Sequence, residues 1–198
     1  WLCGDLVEIN QYCIFNTPSC SFAIEMGHDL FAPIPPSSQL SMMGAEIVLN
    51  LSAESVLAGK DDYLRNQISS QSARCIGGYV YAGAGFGESS TDIVFNAQAL
   101  IYENGKMLAE NLPFCTESQL VFSEIDIEHI RSERRKNNIF SESARETQTN
   151  ECVFINTDMM VSHSFALSRL YSPHPFIPDN KEALDKRAEE VYNIQTIG

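Results

Sequence analysis

The chain has 198 residues, 44% hydrophobic and 20% charged, enough for one domain with its own core and too apolar for wholesale disorder. Its 13 Lys and Arg stand against 26 Asp and Glu, a formal net charge of −13 that opposes binding to nucleic acid or to an anionic membrane. No stretch nears the ~20 apolar residues of a membrane span, and the six cysteines contain no CxxC pair, so neither a zinc ribbon nor a thioredoxin-type site is indicated.

Residues 1–18 are mixed, with Cys13-Ile14-Phe15 reading as an edge strand before the Asn16-Thr17-Pro18 turn. Over 20–26, Phe22, Ile24 and Met26 alternate with Ala23 and Glu25, the period of a half-buried strand. Met26-Gly27-His28-Asp29 is a turn, and Pro33, Pro35 and Pro36 carry the chain off the sheet. A short helix over 37–43 stops at Gly44, and AEIVLNL (45–51) is a buried strand. Strand, short helix, strand predicts a crossover with parallel pairing.

The spacing of Leu64, Ile68 and Cys75 predicts a helix over 59–75, with Asp61 and Asp62 at its positive end and Gly77-Gly78 as its stop. A strand follows at 79–83. Segments 93–102 and 106–111 form a hairpin around the Asn104-Gly105 turn signal. Residues 119–125 read as one more strand and 127–137 as a polar helix. In that helix Arg131, Arg134, Arg135 and Lys136, interleaved with acids, read as a solvated face. FSESARETQTN (140–150) reads as a polar loop, Glu151–Asn156 as a last strand, and Ser162–Pro178 as irregular. Asp179 or Asn180 caps a final amphipathic helix with Leu184, Ala188 and Val191 on one stripe.

One set of residues carries a family signature. Ile24-Glu25-Met26, Asp29-Leu30-Phe31, Pro33 and Pro35-Pro36-Ser37 fit the pattern (V/I)-E-(I/V)-C-E-D-L-(W/F)-x-P-x-P-P-S. Further ordered matches follow: Asn50-Leu51-Ser52-Ala53, Gly59-Lys60, Gln71-Ser72-Ala73-Arg74-Cys75, Tyr79-Val80-Tyr81-Ala82, Gly87-Glu88-Ser89-Ser90-Thr91-Asp92 and Glu103-Asn104-Gly105. The sequence resembles the nitrilase, or carbon–nitrogen hydrolase, superfamily, and within it the glutaminase domain of glutamine-dependent NAD synthetases. The resemblance is dense over about residues 20–115. It implies an α/β fold, a portion of the family's α-β-β-α sandwich, with 1–146 part of the glutaminase domain. Residues 147–198 would then be a strand, a Pro-rich linker and a helix leading toward a synthetase domain. Trp1-Leu2-Cys3-Gly4, with neither an initiator Met nor a signal-like start, reads as a cut into a longer protein.

The resemblance also implies a chemistry. A cysteine thiolate attacks the glutamine amide to release ammonia, a glutamate serves as base, and a lysine holds the oxyanion. The cysteine position here is Gly27 and the following glutamate is His28, so the nucleophile is absent from its place. In the family the base and the lysine precede the elbow by more than the residues before it here. Among substrate-binding positions, Phe31 stands where the family has an aromatic beside glutamine; a lid on the core reads equally well. Glu54 replaces a serine hydroxyl with a carboxylate that repels the substrate's own, and Lys60 retains a positive charge.

His28 with Glu25 and Asp29 makes no convincing ligand set, so no metal is expected, and His28 reads as a half-buried residue bonded to a carbonyl. His129, His163 and His174 read as facing solvent. Gly83-Ala84-Gly85-Phe86-Gly87 lacks dinucleotide-loop spacing, and no S-G-G-x-D-S stretch is present. No cofactor is therefore expected here; ATP and Mg2+ belong to the synthetase domain. Expected partners are glutamine, doubtful at this elbow, that synthetase domain and further copies of the chain in a homo-oligomer. Neither nucleic acid nor membrane is expected, and the compartment is a reducing cytoplasm.

Overall fold

In the computed structural model the described residues are 3, 4, 6, 10–147, 152–159, 166–169, 171, 173, 174, 177, 178 and 180–198. They form two compact units, Trp1–Phe165 and Ala166–Gly198. The first holds seven strands: β1 (Cys13–Asn16), β2 (Ser21–Met26), β3 (Ile47–Ser52), β4 (Gly78–Gly83), β5 (Ala99–Glu103), β6 (Lys106–Glu110) and β7 (Val153–Asn156). Its helices are α1 (Pro36–Met42), α2 (Asp61–Cys75), α3 (Ile127–Lys136) and α4 (Asn138–Glu146). One sheet runs in the order β6-β5-β4-β3-β2-β1-β7.

The predicted crossover is present: β2, β3 and β4 are parallel, with Phe22 opposite Ile47 and Ile47 opposite Gly78. Pro36 at the first turn of α1 supplies a preset φ where an N–H would have no partner. The Asn104-Gly105 hairpin joins β5 and β6 antiparallel. The segment Cys13–Phe15 was expected at an edge; it is interior instead, antiparallel to β2 on one side and parallel to β7 on the other.

The alternation in β2 points the opposite way to the sequence expectation. Ala23 and Glu25 are buried under the helices, whereas Ile24 and Met26 are 37% and 59% exposed. Hydrogen bonding explains the reversal. Glu25 Oε2 accepts from the Ser37 backbone N–H at 2.8 Å, and its Oε1 accepts from Tyr79 and Asn50, so the carboxylate ties α1 to β3 and β4. The core lies on that side, around Leu30, Val48, Ile68, Tyr79, Leu100 and Tyr102. The other face carries Phe22, Ile24, Met26, Leu49, Leu51 and Val80 in register, and Leu51 is 53% exposed.

Three further expectations change. Residues 119–125 are not a strand. Gln119 bonds both the N–H and the carbonyl of Leu112, Leu120 and Phe122 stay exposed, and Ile125 packs on the bare Cα of Gly78, where a Cβ would stand 2.9 Å from it. The strand expected over 93–102 begins only at Ala99, because Asn96 Oδ1 accepts from the Gln98 N–H and Ala97 turns left-handed at φ +54°. The polar loop expected over 140–150 is largely α4, started by Asn137, whose side chain accepts from the Phe140 N–H; residues 148–150 lie outside the described ones.

The basic run of α3 is a solvated face only in part: Arg135 and Lys136 are exposed, as expected, whereas Arg131 and Arg134 turn to partners. Arg131 pairs with the part-buried Glu46. Arg134 donates to the carbonyls of Ile76, Cys75, Ala45 and Ser41 and lies 4.9 Å from the Phe140 ring centroid. A cation at the C-terminal end of α2 suits that end's exposed carbonyls.

In the second unit, α5 (Lys181–Ile197) starts at Asn180, whose Oδ1 accepts from the Ala183 N–H. Leu184 and Val191 on its expected stripe remain 41% and 45% exposed. Much of the 162–178 segment, His163 included, lies outside the described residues. Among the described residues no helix is long and apolar enough to cross a membrane.

Candidate functional site

The carboxyl ends of parallel strands are where an α/β sheet opens for ligands. Here β2 ends at Met26, just before Gly27, β3 runs into the 53–60 loop, and β4 presents Tyr81 to the helix side. A pocket of about 560 Å³ opens at this end, lined by His28, Phe31, Glu54, Lys60, Tyr81 and Gln98 among others. Phe31, Glu54 and Lys60, three of the four site positions read from the sequence, thus share one cavity. Gly27 adjoins it through His28 and is not itself in the lining.

The Met26–Asp29 turn is held from three sides. Gly27 sits at φ +45°, a left-handed conformation that glycine adopts without steric cost. Asn50 Nδ2 donates to the Gly27 carbonyl at 3.4 Å and to the Tyr79 hydroxyl at 3.0 Å, and Asp29 Oδ2 accepts from the Met26 N–H at 3.3 Å. A Cβ at position 27 would meet nothing closer than Ser52 Oγ at 3.8 Å. The turn has room for a side chain and carries none.

His28 is not half-buried and bonded to a carbonyl, as its sequence context suggested. Its side chain is 85% exposed, with Nε2 3.1 Å from Glu54 Oε2. Its ring meets Phe31 edge-on, and Phe31 stacks on Tyr63 with centroids 5.9 Å apart. Lys60 is exposed at the N-cap of α2.

The sequence did not single out Tyr63, Tyr81, Gln98 or Asp61 as site residues. Asp61 was read as a helix-start charge; its two oxygens accept from Gln98 Nε2 at 2.6 Å and Arg65 Nε at 2.8 Å. Burial pushes the Asp61 carboxyl up, and Arg65 with Gln98 outweighs this and holds it below the usual carboxylate value. Burial pushes the Tyr81 phenol up, and Glu54 adds to that. Tyr81 could have been found from the Tyr79-Val80-Tyr81 spacing, which puts both phenols on one face of β4. Gln98 gave no such signal, because its segment read as regular strand.

No thiol lines this pocket. Cys75 is buried, and burial pushes its thiol up. Cys20 precedes the opposite end of β2. Among the described residues no group of three or more His, Cys, Asp or Glu is placed to hold a metal ion.

No protein-family profile matches the sequence. A curated relative, the glutamine-dependent NAD(+) synthetase of Mycobacterium tuberculosis, is 34% identical over 186 residues, 92% of this chain and 27% of the relative. The chain therefore spans about a quarter of the length of that relative. Among solved structures, a carbon–nitrogen hydrolase from Helicobacter pylori matches 74% of this chain and 52% of its own at a TM-score of 0.56 and 18% identity. Nit3 of Saccharomyces cerevisiae, a member of branch 10 of the nitrilase superfamily, matches 60% of this chain and 42% of its own at a TM-score of 0.50 and 17% identity.

Proposed function

We infer the function from descent: the chain is a relative of the glutamine-dependent NAD(+) synthetases, matching one segment of them, and folds as a portion of the nitrilase-superfamily α/β sandwich. In this reading it is part of the amide-hydrolysing, ammonia-supplying domain of such an enzyme, with the hydrolytic step disabled at the elbow. The observation that carries the second half is Gly27. Acyl transfer from glutamine needs a nucleophile whose lone pair attacks the amide carbon and stays bonded to it until water releases glutamate. Position 27 offers a left-handed backbone and no side-chain atom, and the adjoining pocket holds no thiol.

The test is incubation of the purified chain with L-glutamine, following ammonia and glutamate, beside treatment with an electrophilic glutamine analogue and intact-mass measurement. The expected result is neither turnover nor a covalent adduct on a pocket residue. Sustained glutamine hydrolysis, abolished by the analogue, would show that another group supplies the nucleophile.

A second reading draws on the uncovered sheet face. Phe22, Ile24, Met26, Leu49, Leu51 and Val80 form an apolar patch opposite the helices. A domain that has lost its nucleophile and keeps such a face serves assembly, with homo-oligomerisation as its readout.

A further inference from the structure

The pocket beside Gly27 is mostly apolar, and among its described lining residues the buried side-chain oxygen that lacks a hydrogen bond belongs to a carboxylate. Glu54 Oε2 is buried and accepts no hydrogen bond among the described residues; its titratable neighbour is the exposed His28, whose Nε2 lies 3.1 Å away. A buried carboxylate oxygen without a donor is costly, and a ligand that brings an N–H recovers that cost. The other carboxylate in the lining, Asp61, is already engaged by Arg65 and Gln98. Glu54 is therefore the acceptor left for a ligand.

The walls fit a cation with an apolar body. Phe31 and Tyr63 are stacked at 5.9 Å and 11°, and Tyr81 and Leu64 also line the cavity. Aromatic faces attract an ammonium and exclude water from it, which strengthens its pairing with a carboxylate. Lys60 also lines the cavity but is exposed, so solvent screens its charge more than that of Glu54.

We propose that this pocket binds an organic ammonium ion carrying an apolar body, its N–H groups on Glu54 and its body against Phe31 and Tyr63. The selectivity is for a cation over a carboxylate. This goes beyond the reading at Gly27, since a pocket without a nucleophile can still bind.

The experiment titrates the 198-residue chain with phenethylamine, 3-phenylpropionate and L-glutamine by calorimetry and by ¹H–¹⁵N chemical-shift mapping. Phenethylammonium is expected to bind, with shifts at Phe31, Tyr63 and Glu54, and 3-phenylpropionate at least about tenfold more weakly. E54Q is expected to lose about tenfold or more in amine affinity, the worth of one charged partner, while E54D retains most of it. An unchanged melting curve certifies that both variants are folded. Failure of the amine to bind, equal binding of 3-phenylpropionate, or an amine affinity indifferent to E54Q overturns the proposal. Tighter binding of L-glutamine than of the amine also overturns it, because Lys60 would then be taking a carboxylate. Glutamine turnover is scored separately, so each reading can fail without the other.

Discussion

His28 and Glu54, the residues standing where the resembling family has Glu and Ser, are each other's neighbours, with Nε2 and Oε2 3.1 Å apart. The acid missing after the elbow is matched by an acid gained on the next loop. Had only Glu54 changed, two carboxylates would face each other across this gap, a repulsive arrangement. The two side chains therefore act on each other as a pair.

That coupling is measurable. H28E should lower the melting temperature more than H28Q does, and H28E combined with E54S should recover the difference. His28 is 85% exposed, so solvent screens the pair from that side and the coupling in a double-mutant cycle should not exceed about 1 kcal/mol. Additive effects of the two substitutions would show the proximity to be energetically idle.

Restoring sulfur alone should not restore chemistry. G27C has space for its Cβ, but it places a non-glycine residue at φ +45°, at a cost of about 1–2 kcal/mol. Its melting temperature should fall by several degrees. Under the function proposed above, glutamine turnover should remain undetectable, because Glu54 would still oppose a substrate carboxylate and His28 would still stand in place of an acid. Measurable hydrolysis by this single variant would place the defect in the sulfur alone.

The buried network under the turn should be worth more than the solvent-screened His28–Glu54 pair. Y79F removes the hydroxyl that donates to Glu25 and accepts from Asn50, leaving the buried Asn50 amide only its longer 3.4 Å bonds to Glu25 and the Gly27 carbonyl. The expected loss is about 1–3 kcal/mol in urea unfolding. E25A should cost more, since it also frees the Ser37 N–H.

Stability should fall at both ends of the pH range, for opposite reasons. Asp61 is held below its unfolded pKa, so its contribution is present above the ordinary carboxylate value and disappears as pH drops through the depressed one. R65M should flatten this acid limb. Cys75 and Tyr79 are raised by burial, Tyr79 further by Glu25; their contribution is complete below the ordinary thiol and phenol range and wanes above about pH 9. Urea midpoints at pH 7, 4, 3 and 9.5 test both limbs, and C75S with Y79F should blunt the alkaline one.

The uncovered sheet face should make the chain self-associate. M26T with L51T, at positions 59% and 53% exposed, should shift sizing profiles toward monomer and reduce binding of a hydrophobic dye. A stable monomer before mutation would count against that face as a contact surface.

Much of this architecture was legible in the residues, and the departures share a cause. Crossover pairing, the hairpin turn and the long helix follow from local rules: Pro36 at a helix start, Asn104-Gly105 at a turn, Leu64 and Ile68 on one stripe. What local rules misplace depends on a distant partner. Glu25 looks solvent-facing until Tyr79 and Asn50 lie across from it. Arg134 looks like surface charge until the end of α2 needs a cation. Residues 119–125 carry the apolar run Leu120-Val121-Phe122 of a strand, but Gln119 binds back to Leu112 and the segment joins no strand. At the site, Phe31, Glu54 and Lys60 were recognisable from the ordered matches around them. Tyr63, in the first turn of α2, and Gln98, just before β5, enter through tertiary packing, which no spacing in the chain announces.

The placement of β7 beside β1 bears on how the molecule is made. Asn16 and Asn156 meet side by side although 140 residues separate them. Closing so long a loop is slow, and a parallel partner cannot be supplied by a hairpin. During synthesis the outer flank of β1 waits for β7 until about 140 further residues have been made. A chaperone or a neighbouring nascent chain has its opportunity in that interval, and substitutions that weaken β7 should cost yield of folded protein before they cost anything in the finished molecule.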